Sequence, residues 1–129
     1  MNRTNLELLA QGLLTLPDTY EHFDMGVFSD EANRPEEVRG NHCKTAACAI
    51  GHGPYFVAEA PLKGEEWHAY SERVFGINDK AWDWCFSDYW EETDNTPKGA
   101  AKRIFWLLEH GVPENGEKQM LGDAPLCYA

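Results

Sequence analysis

Cysteine and histidine crowd together in only one stretch of the 129-residue chain, residues 41–52. Cys43 or Cys48 could act there as a nucleophile with His52 as its base, because positions 48 and 52 share one face of a regular helix. At a helix N-terminus, the helix dipole would also stabilise the thiolate of Cys43. The alternative is a structural thiol, since Cys48 lies among alanines and free cysteines are among the most buried residue types. The composition of the segment favours the structural thiol.

The same stretch contains four side chains of the types that bind zinc: His42, Cys43, Cys48 and His52. Structural zinc sites usually contain paired ligands two to four residues apart, whereas the two cysteines are five apart. A regular helix would place them on different faces. We therefore predict no metal site and no cofactor.

A second candidate site lies at the start of a predicted helix, where Lys98, Lys102 and Arg103 follow a Thr-Pro pair. Backbone N–H groups in the first turn of a helix bind anions, so these bases could help to hold a phosphate. Three acids within residues 91–94 directly precede the turn. They could neutralise the bases as exposed ion pairs, each contributing about 0–1 kcal/mol, and this alternative is favoured.

Trp84, Tyr89 and Trp90 fall outside the helical spacing that assigns most of the other aromatic residues to a core. Aromatic side chains outside a core could stack on a planar ligand or anchor a protein partner. We therefore add these three residues to the three basic ones as predicted ligand-binding residues.

The helices and strands that must position these residues are predicted from the spacing of apolar residues and from the positions of Pro and Gly. They indicate a mainly α fold, a compact single domain of about five short helices around a buried small-residue helix, with room for one short β-hairpin or strand pair. The predicted helices cover residues 4–16, 46–50, 64–76, 80–86 and 97–110.

The remaining segments are assigned from local composition. Residues 46–50 are small and uncharged, which predicts that neighbours approach that helix closely and that Gly51 caps its end. Residues 22–28 alternate between apolar and polar positions and predict a short strand. Residues 29–41 are predicted to form a surface loop, and residues 114–129 an irregular C-terminal tail.

The chain is acidic, with 11 Lys and Arg against 22 Asp and Glu and a net charge of −11. Such a surface repels phosphates, which disfavours general nucleic-acid binding and contact with anionic membranes. No apolar run approaches the ~18 residues that span a bilayer, and no signal peptide opens the sequence. We therefore expect a cytoplasmic protein in which the four cysteines are thiols rather than disulfides.

Three segments carry a resemblance to known proteins: residues 23–25 (Phe-Asp-Met), residues 43–52 (Cys-Lys-Thr-Ala-Ala-Cys-Ala-Ile-Gly-His) and residues 95–104 (Asn-Thr-Pro-Lys-Gly-Ala-Ala-Lys-Arg-Ile). In order and pattern they resemble a set of small uncharacterised bacterial and phage proteins. In that set, a Cys-Gly-Thr-x-x-Cys-x-x-Gly motif precedes a Phe-Gly segment and an Ala-Ala-x-x-Ile helix. The resemblance implies a shared fold and carries no function. Lys44 stands where that set usually has Gly.

These observations predict a non-enzymatic binding or interaction protein, such as a phage-type accessory factor that captures a host protein or a small ligand. The prediction depends on the missing catalytic motifs, the acidic surface and the many aromatic residues. A homo-oligomer is compatible with it. The alternative function is a cysteine-dependent hydrolase or transferase that uses Cys43 or Cys48 with His52.

Overall fold

The computed structural model describes residues 1–17, 23–26, 34–36, 48–77 and 79–128. These residues form a mainly helical, compact fold, which confirms the predicted fold class. The helices are α1 (Arg3–Leu14), α2 (Gly53–Phe56), α3 (Trp67–Phe75), α4 (Asp79–Phe86), α5 (Trp90–Thr93), α6 (Pro97–His110) and α7 (Gly116–Met120). A 3-10 helix (Ile50–His52) runs directly into α2. No helix within the described ranges is long and apolar enough to cross a membrane.

Helices α1 and α6 make the most extensive helix–helix contact of the fold. The leucines of α1 that lie on one face, Leu6, Leu9 and Leu13, are fully buried, as the helical spacing predicts. At the start of α1, the guanidinium of Arg3 donates a 2.9 Å hydrogen bond to the carbonyl of Leu108, near the end of α6. Helices α2 and α3 pack on α1 of this antiparallel pair, α4 packs on α6, and α7 packs on α4.

Helix α6 begins and ends where its sequence predicts. The side chain of Thr96 caps it by accepting a 3.0 Å hydrogen bond from the backbone N–H of Gly99, and Pro97 occupies the first helical position. At the other end, Gly111 has a φ of 76°, a conformation that favours glycine. The helix therefore stops before Val112.

The described part of the small-residue segment, residues 48–50, is buried, as predicted, but it is not a regular α-helix. Ala49 lies in a turn, Ile50 starts the 3-10 helix, and positions 46 and 47 lie outside the described residues. The prediction that Gly51 ends a helix is wrong, because the chain continues in helical conformation into α2. A Cβ at Gly53 would lie 2.8 Å from the hydroxyl oxygen of Tyr70, so α3 approaches this backbone closely.

Two other predicted segments differ from the structure. The described residues contain no β-strand, and within the predicted strand Met25 and Gly26 form a turn. The backbone N–H groups of these two residues donate to side chains instead, to Asn95 (2.6 Å) and Asp24 (2.8 Å). The irregular tail predicted after residue 113 is also wrong, because it contains α7. Short helices of this kind depend on tertiary packing, which local spacing does not reveal.

Candidate functional site

A pocket of about 300 Å³ lies beside the small-residue segment, between α3, α4 and the turn at residues 25–26. Its buried walls include Met25, Cys48 and Phe86, and its more accessible walls include His68, Trp82 and Asp88. We call it the Trp82 pocket. Apolar surface with a few polar groups is the usual composition of a small-molecule site.

The accessible wall is an aromatic pair contributed by two helices. The ring of His68 on α3 stacks on the ring of Trp82 on α4, with centroids 4.3 Å apart and an angle of 20° between the planes. Trp82 also contacts Phe86, one turn further along α4, in an edge-on arrangement at 6.1 Å. The i, i+4 spacing on α4 therefore aligns two aromatic rings along the same pocket.

The opposite wall is fixed by a hydrogen-bonded turn. Besides the two backbone contacts already described, the amide nitrogen of Asn95 donates to Asp24 Oδ1 at 3.3 Å. The carboxylate of Glu91 lies directly against Gly26, where any Cβ would overlap it. Gly26 is therefore needed for a close approach, and the turn is held against the segment between α5 and α6.

Cys48 lies in the wall of the pocket but is only 1% exposed. Burial raises the pKa of its thiol to about 12, even though the backbone N–H groups of Gly51 and Ile50 oppose the shift. The charge of Asp24 raises it further. The thiol is therefore protonated at neutral pH, which is the opposite of the activation that a nucleophilic cysteine needs.

His52 is also buried, and its ring contacts the backbone of Cys48. Its Nδ1 lies 2.8 Å from the carbonyl oxygen of Cys48, and because a carbonyl only accepts, this nitrogen carries the proton. The ring packs between Phe23 at 5.6 Å and Phe56 at 6.2 Å. The predicted pairing was between this ring and the thiol of Cys48, whereas the contact described here is between the ring and the backbone carbonyl of Cys48.

The other residues of the predicted cysteine site cannot be placed. Cys43 and His42 lie outside the described residues. In the part of the chain that the structure describes, no group of three or more His, Cys, Asp or Glu side chains could hold a metal ion.

The predicted anion site at the start of α6 is filled by the protein's own Asp94. The carboxylate of Asp94 lies against Gly99, where a Cβ would overlap it, and accepts hydrogen bonds from Thr96 (2.7 Å) and from Tyr128 (2.9 Å). An internal anion at a helix N-terminus satisfies the same dipole that would attract a phosphate. Of the predicted bases, Lys98 is exposed and Lys102 half-buried.

Arg103, the third predicted base, is completely buried beside Asp94. Its Nη1 donates to the hydroxyl of Tyr128 at 2.9 Å and lies 3.6 Å from Asp94 Oδ2. Its guanidinium carbon lies 4.2 Å from the centre of the Trp90 ring, a cation–π contact. We call Asp94, Arg103 and Tyr128 the Arg103 cluster. It is an internal charge network rather than a surface for a ligand.

Two of the three predicted aromatic ligand residues are core residues. Trp84 and Trp90 are buried, and their indole nitrogens donate 2.9 Å hydrogen bonds to the carbonyls of Arg103 and Trp84 respectively. Trp90 falls outside the expected spacing because it belongs to a separate short helix, α5, whereas Trp84 lies within α4. Only Tyr89 is exposed (62%), beside a second hollow formed with Met120 and Leu121.

Apart from Cys48, the described residues that line the Trp82 pocket were not predicted as site residues. His68, Trp82 and Met25 belong to three separate segments, and Trp82 was assigned to the core face of its helix. The sequence gives only a weak indication that these residues share a site, because each of them fits the apolar spacing of an ordinary amphipathic segment. Only the packing of α3 on α4 brings them together.

No protein-family model, curated protein or solved structure matches the chain. The resemblance to small bacterial and phage proteins therefore stays a prediction. The function proposed below is based on the geometry of the Trp82 pocket.

Proposed function

We propose that the protein is a non-enzymatic binding protein that takes up a small, partly planar organic ligand in the Trp82 pocket. The single observation that carries the proposal is this pocket of about 300 Å³, in which an aromatic wall faces a buried apolar wall. Pockets of roughly 300–1,000 Å³ are typical of small-ligand sites, so the volume suits a ligand of one or two rings.

The neutral thiol of Cys48 supports binding over catalysis. A hydrolase or transferase that used Cys48 would need the thiolate, whereas burial holds the pKa of this thiol at about 12. His52, its predicted base, directs Nδ1 to a backbone carbonyl. The enzymatic alternative therefore requires Cys43 as the nucleophile, and Cys43 lies outside the described residues.

We also propose a cytoplasmic location, in keeping with the free thiols of Cys48, Cys85 and Cys127. A protein partner, or a second copy of the chain, is the other form that a binding function could take, as expected for a phage-type accessory factor. Native mass spectrometry of the protein purified from cells distinguishes these forms by mass.

Three planar probes that share one ring system test the pocket: tryptamine, indole and indole-3-acetate. Ligand-observed NMR should detect binding of at least one of them to the native protein. Binding should be lost in Trp82→Ala, because the aromatic wall is removed.

Trp106→Ala is the matched control. Trp106 is also half-buried and also contacts a histidine, His110, at 4.3 Å, but it lies on α6 and does not line the pocket. Binding should survive this substitution. If no probe binds the native protein, or if both variants lose binding equally, the proposed function is wrong.

A further inference from the structure

We propose that the ligand of the Trp82 pocket is a cation, an amine carried on an aromatic or apolar body. The inference rests on the proposed function and specifies its ligand class. It depends on the combination of an aromatic pocket and the charges arranged around it.

The charged groups at the pocket are mainly carboxylates. Asp88 lines the accessible side, and no Lys or Arg occurs among the described residues that form the walls. Of the wall residues that the structure describes, only His68 can carry a positive charge, and its ring is stacked on Trp82. A carboxylate at the mouth of an apolar pocket attracts an ammonium group and repels an anion.

Two more carboxylates lie directly behind the turn that forms the opposite wall. Asp24 accepts a hydrogen bond from the backbone of Gly26 at 2.8 Å, and its charge reaches the wall, since it raises the pKa of the Cys48 thiol. The carboxylate of Glu91 also lies against Gly26. Negative potential therefore comes from both sides of the pocket, and pockets with apolar walls concentrate such a field.

The walls themselves suit a cation with an apolar body. Aromatic rings present a negative face to a bound cation, and Trp is the strongest such ring. Met25 and Phe86 provide buried apolar surface for the body of the ligand. Cys48 contributes a neutral, polarisable thiol that neither repels nor pairs with the ammonium.

The three indole probes separate charge from shape. Tryptamine, which is cationic at neutral pH, should bind up to about fivefold more tightly than neutral indole, and indole-3-acetate should bind most weakly, since one exposed carboxylate contact of about 1 kcal/mol corresponds to this factor. Raising the NaCl concentration from 50 to 500 mM should weaken the binding of tryptamine and leave that of indole nearly unchanged.

Asp88→Asn tests the charge at the mouth of the pocket. It should reduce the preference for tryptamine over indole severalfold while indole still binds. Asp123→Asn removes the same charge from an exposed position that does not line the pocket, and it should leave the preference intact.

Each outcome bears on a different claim. If indole or indole-3-acetate binds as tightly as tryptamine, the cation inference is wrong, while the pocket remains a binding site. If the preference for tryptamine persists unchanged in Asp88→Asn and at high salt, the electrostatic origin is refuted. If none of the probes binds, both the proposed function and the cation inference are wrong.

Discussion

Replacing Tyr128 by Phe removes one oxygen atom from the centre of the Arg103 cluster. The hydroxyl of Tyr128 donates to Asp94 Oδ2 and accepts from Arg103 Nη1, both at 2.9 Å. The ring itself would stay in place, because it packs edge-on against Trp84 and Trp90 at about 6 Å. The substitution therefore isolates the two hydrogen bonds from the packing.

The loss of stability expected for Tyr128→Phe follows from the charge of both hydrogen-bond partners, Asp94 and Arg103, and from the burial of Arg103. A hydrogen bond to a charged group contributes about 1.5–3 kcal/mol. Without the hydroxyl, Nη1 keeps the carbonyl of Asp94 at 3.3 Å, while Nε and Nη2 have no hydrogen-bond partner within the described residues. Tyr128 is only half-buried, so water can replace part of the loss. We expect the free energy of unfolding to fall by about 2 kcal/mol.

Urea unfolding followed by tryptophan fluorescence measures this change. The midpoint should fall at an unchanged m-value, because the surface exposed on unfolding stays the same. Tyr89→Phe is the matched control, since Tyr89 is largely exposed and its substitution should change stability by less than about 0.5 kcal/mol. A Tyr128→Phe protein as stable as the native one would show that the cluster does not hold the C-terminal segment.

Alkaline titration gives a second measurement on the same pair of proteins. Burial raises the pKa of Tyr128 above its usual value, with the charge of Asp94 adding to the shift and that of Arg103 opposing it. The unfolded tyrosine ionises near its usual pKa of about 10 and the folded one does not. The contribution of Tyr128 to stability is therefore complete below pH 10 and is lost as the pH rises above it. Tyr128→Phe should lose less stability over this range.

Three further predictions test other contacts. Gly99→Ala should destabilise the protein by about 1–2 kcal/mol in urea unfolding because its Cβ displaces Asp94, whereas helix propensity alone would stabilise it by about 1 kcal/mol; a more stable variant would contradict the clash. The thiols of Cys48 and Cys85 both have a pKa raised to about 12 by burial, so their contribution to stability should be complete below about pH 8 and fall by about 1.5–2 kcal/mol per thiol by pH 10; rapid labelling of these thiols in the folded protein would refute their burial. Asn5→Ala removes a buried 2.8 Å hydrogen bond to the backbone of α3 and should cost about 1–2 kcal/mol in thermal unfolding; an unchanged Tm would show that this bond contributes little.

Local signals in the sequence predicted the long helices well. Thr96, Pro97 and Gly111 mark both ends of α6, and the leucine spacing of α1 gives its buried face. The short helices α5 and α7 were missed because four or five residues carry too little periodicity. They form where tertiary contacts exist, as at Gly116, whose missing side chain lets α7 approach Trp84.

The candidate sites also depend on tertiary contacts that the local sequence does not reveal. The spacing of Cys48 and His52 suggested a thiol paired with a base, whereas the ring of His52 contacts the backbone of Cys48 and the packing around the thiol keeps it neutral. The bases of α6 suggested an anion site, and the anion is Asp94, held by a tyrosine 34 residues away. Such long-range contacts leave no local pattern, and neither does the pocket beside Trp82.

The pairing of α1 with α6 also determines when the fold can close during synthesis. Arg3 and its partner Leu108 are separated by 105 positions. At about 5–20 residues per second, α1 waits on the order of 5–20 s before its partner has been made. During that interval its leucine face has no packing partner from α6, and nascent chains on neighbouring ribosomes or chaperones can bind it. Refolding of the full-length chain, in which both helices are present from the start, contains no such interval.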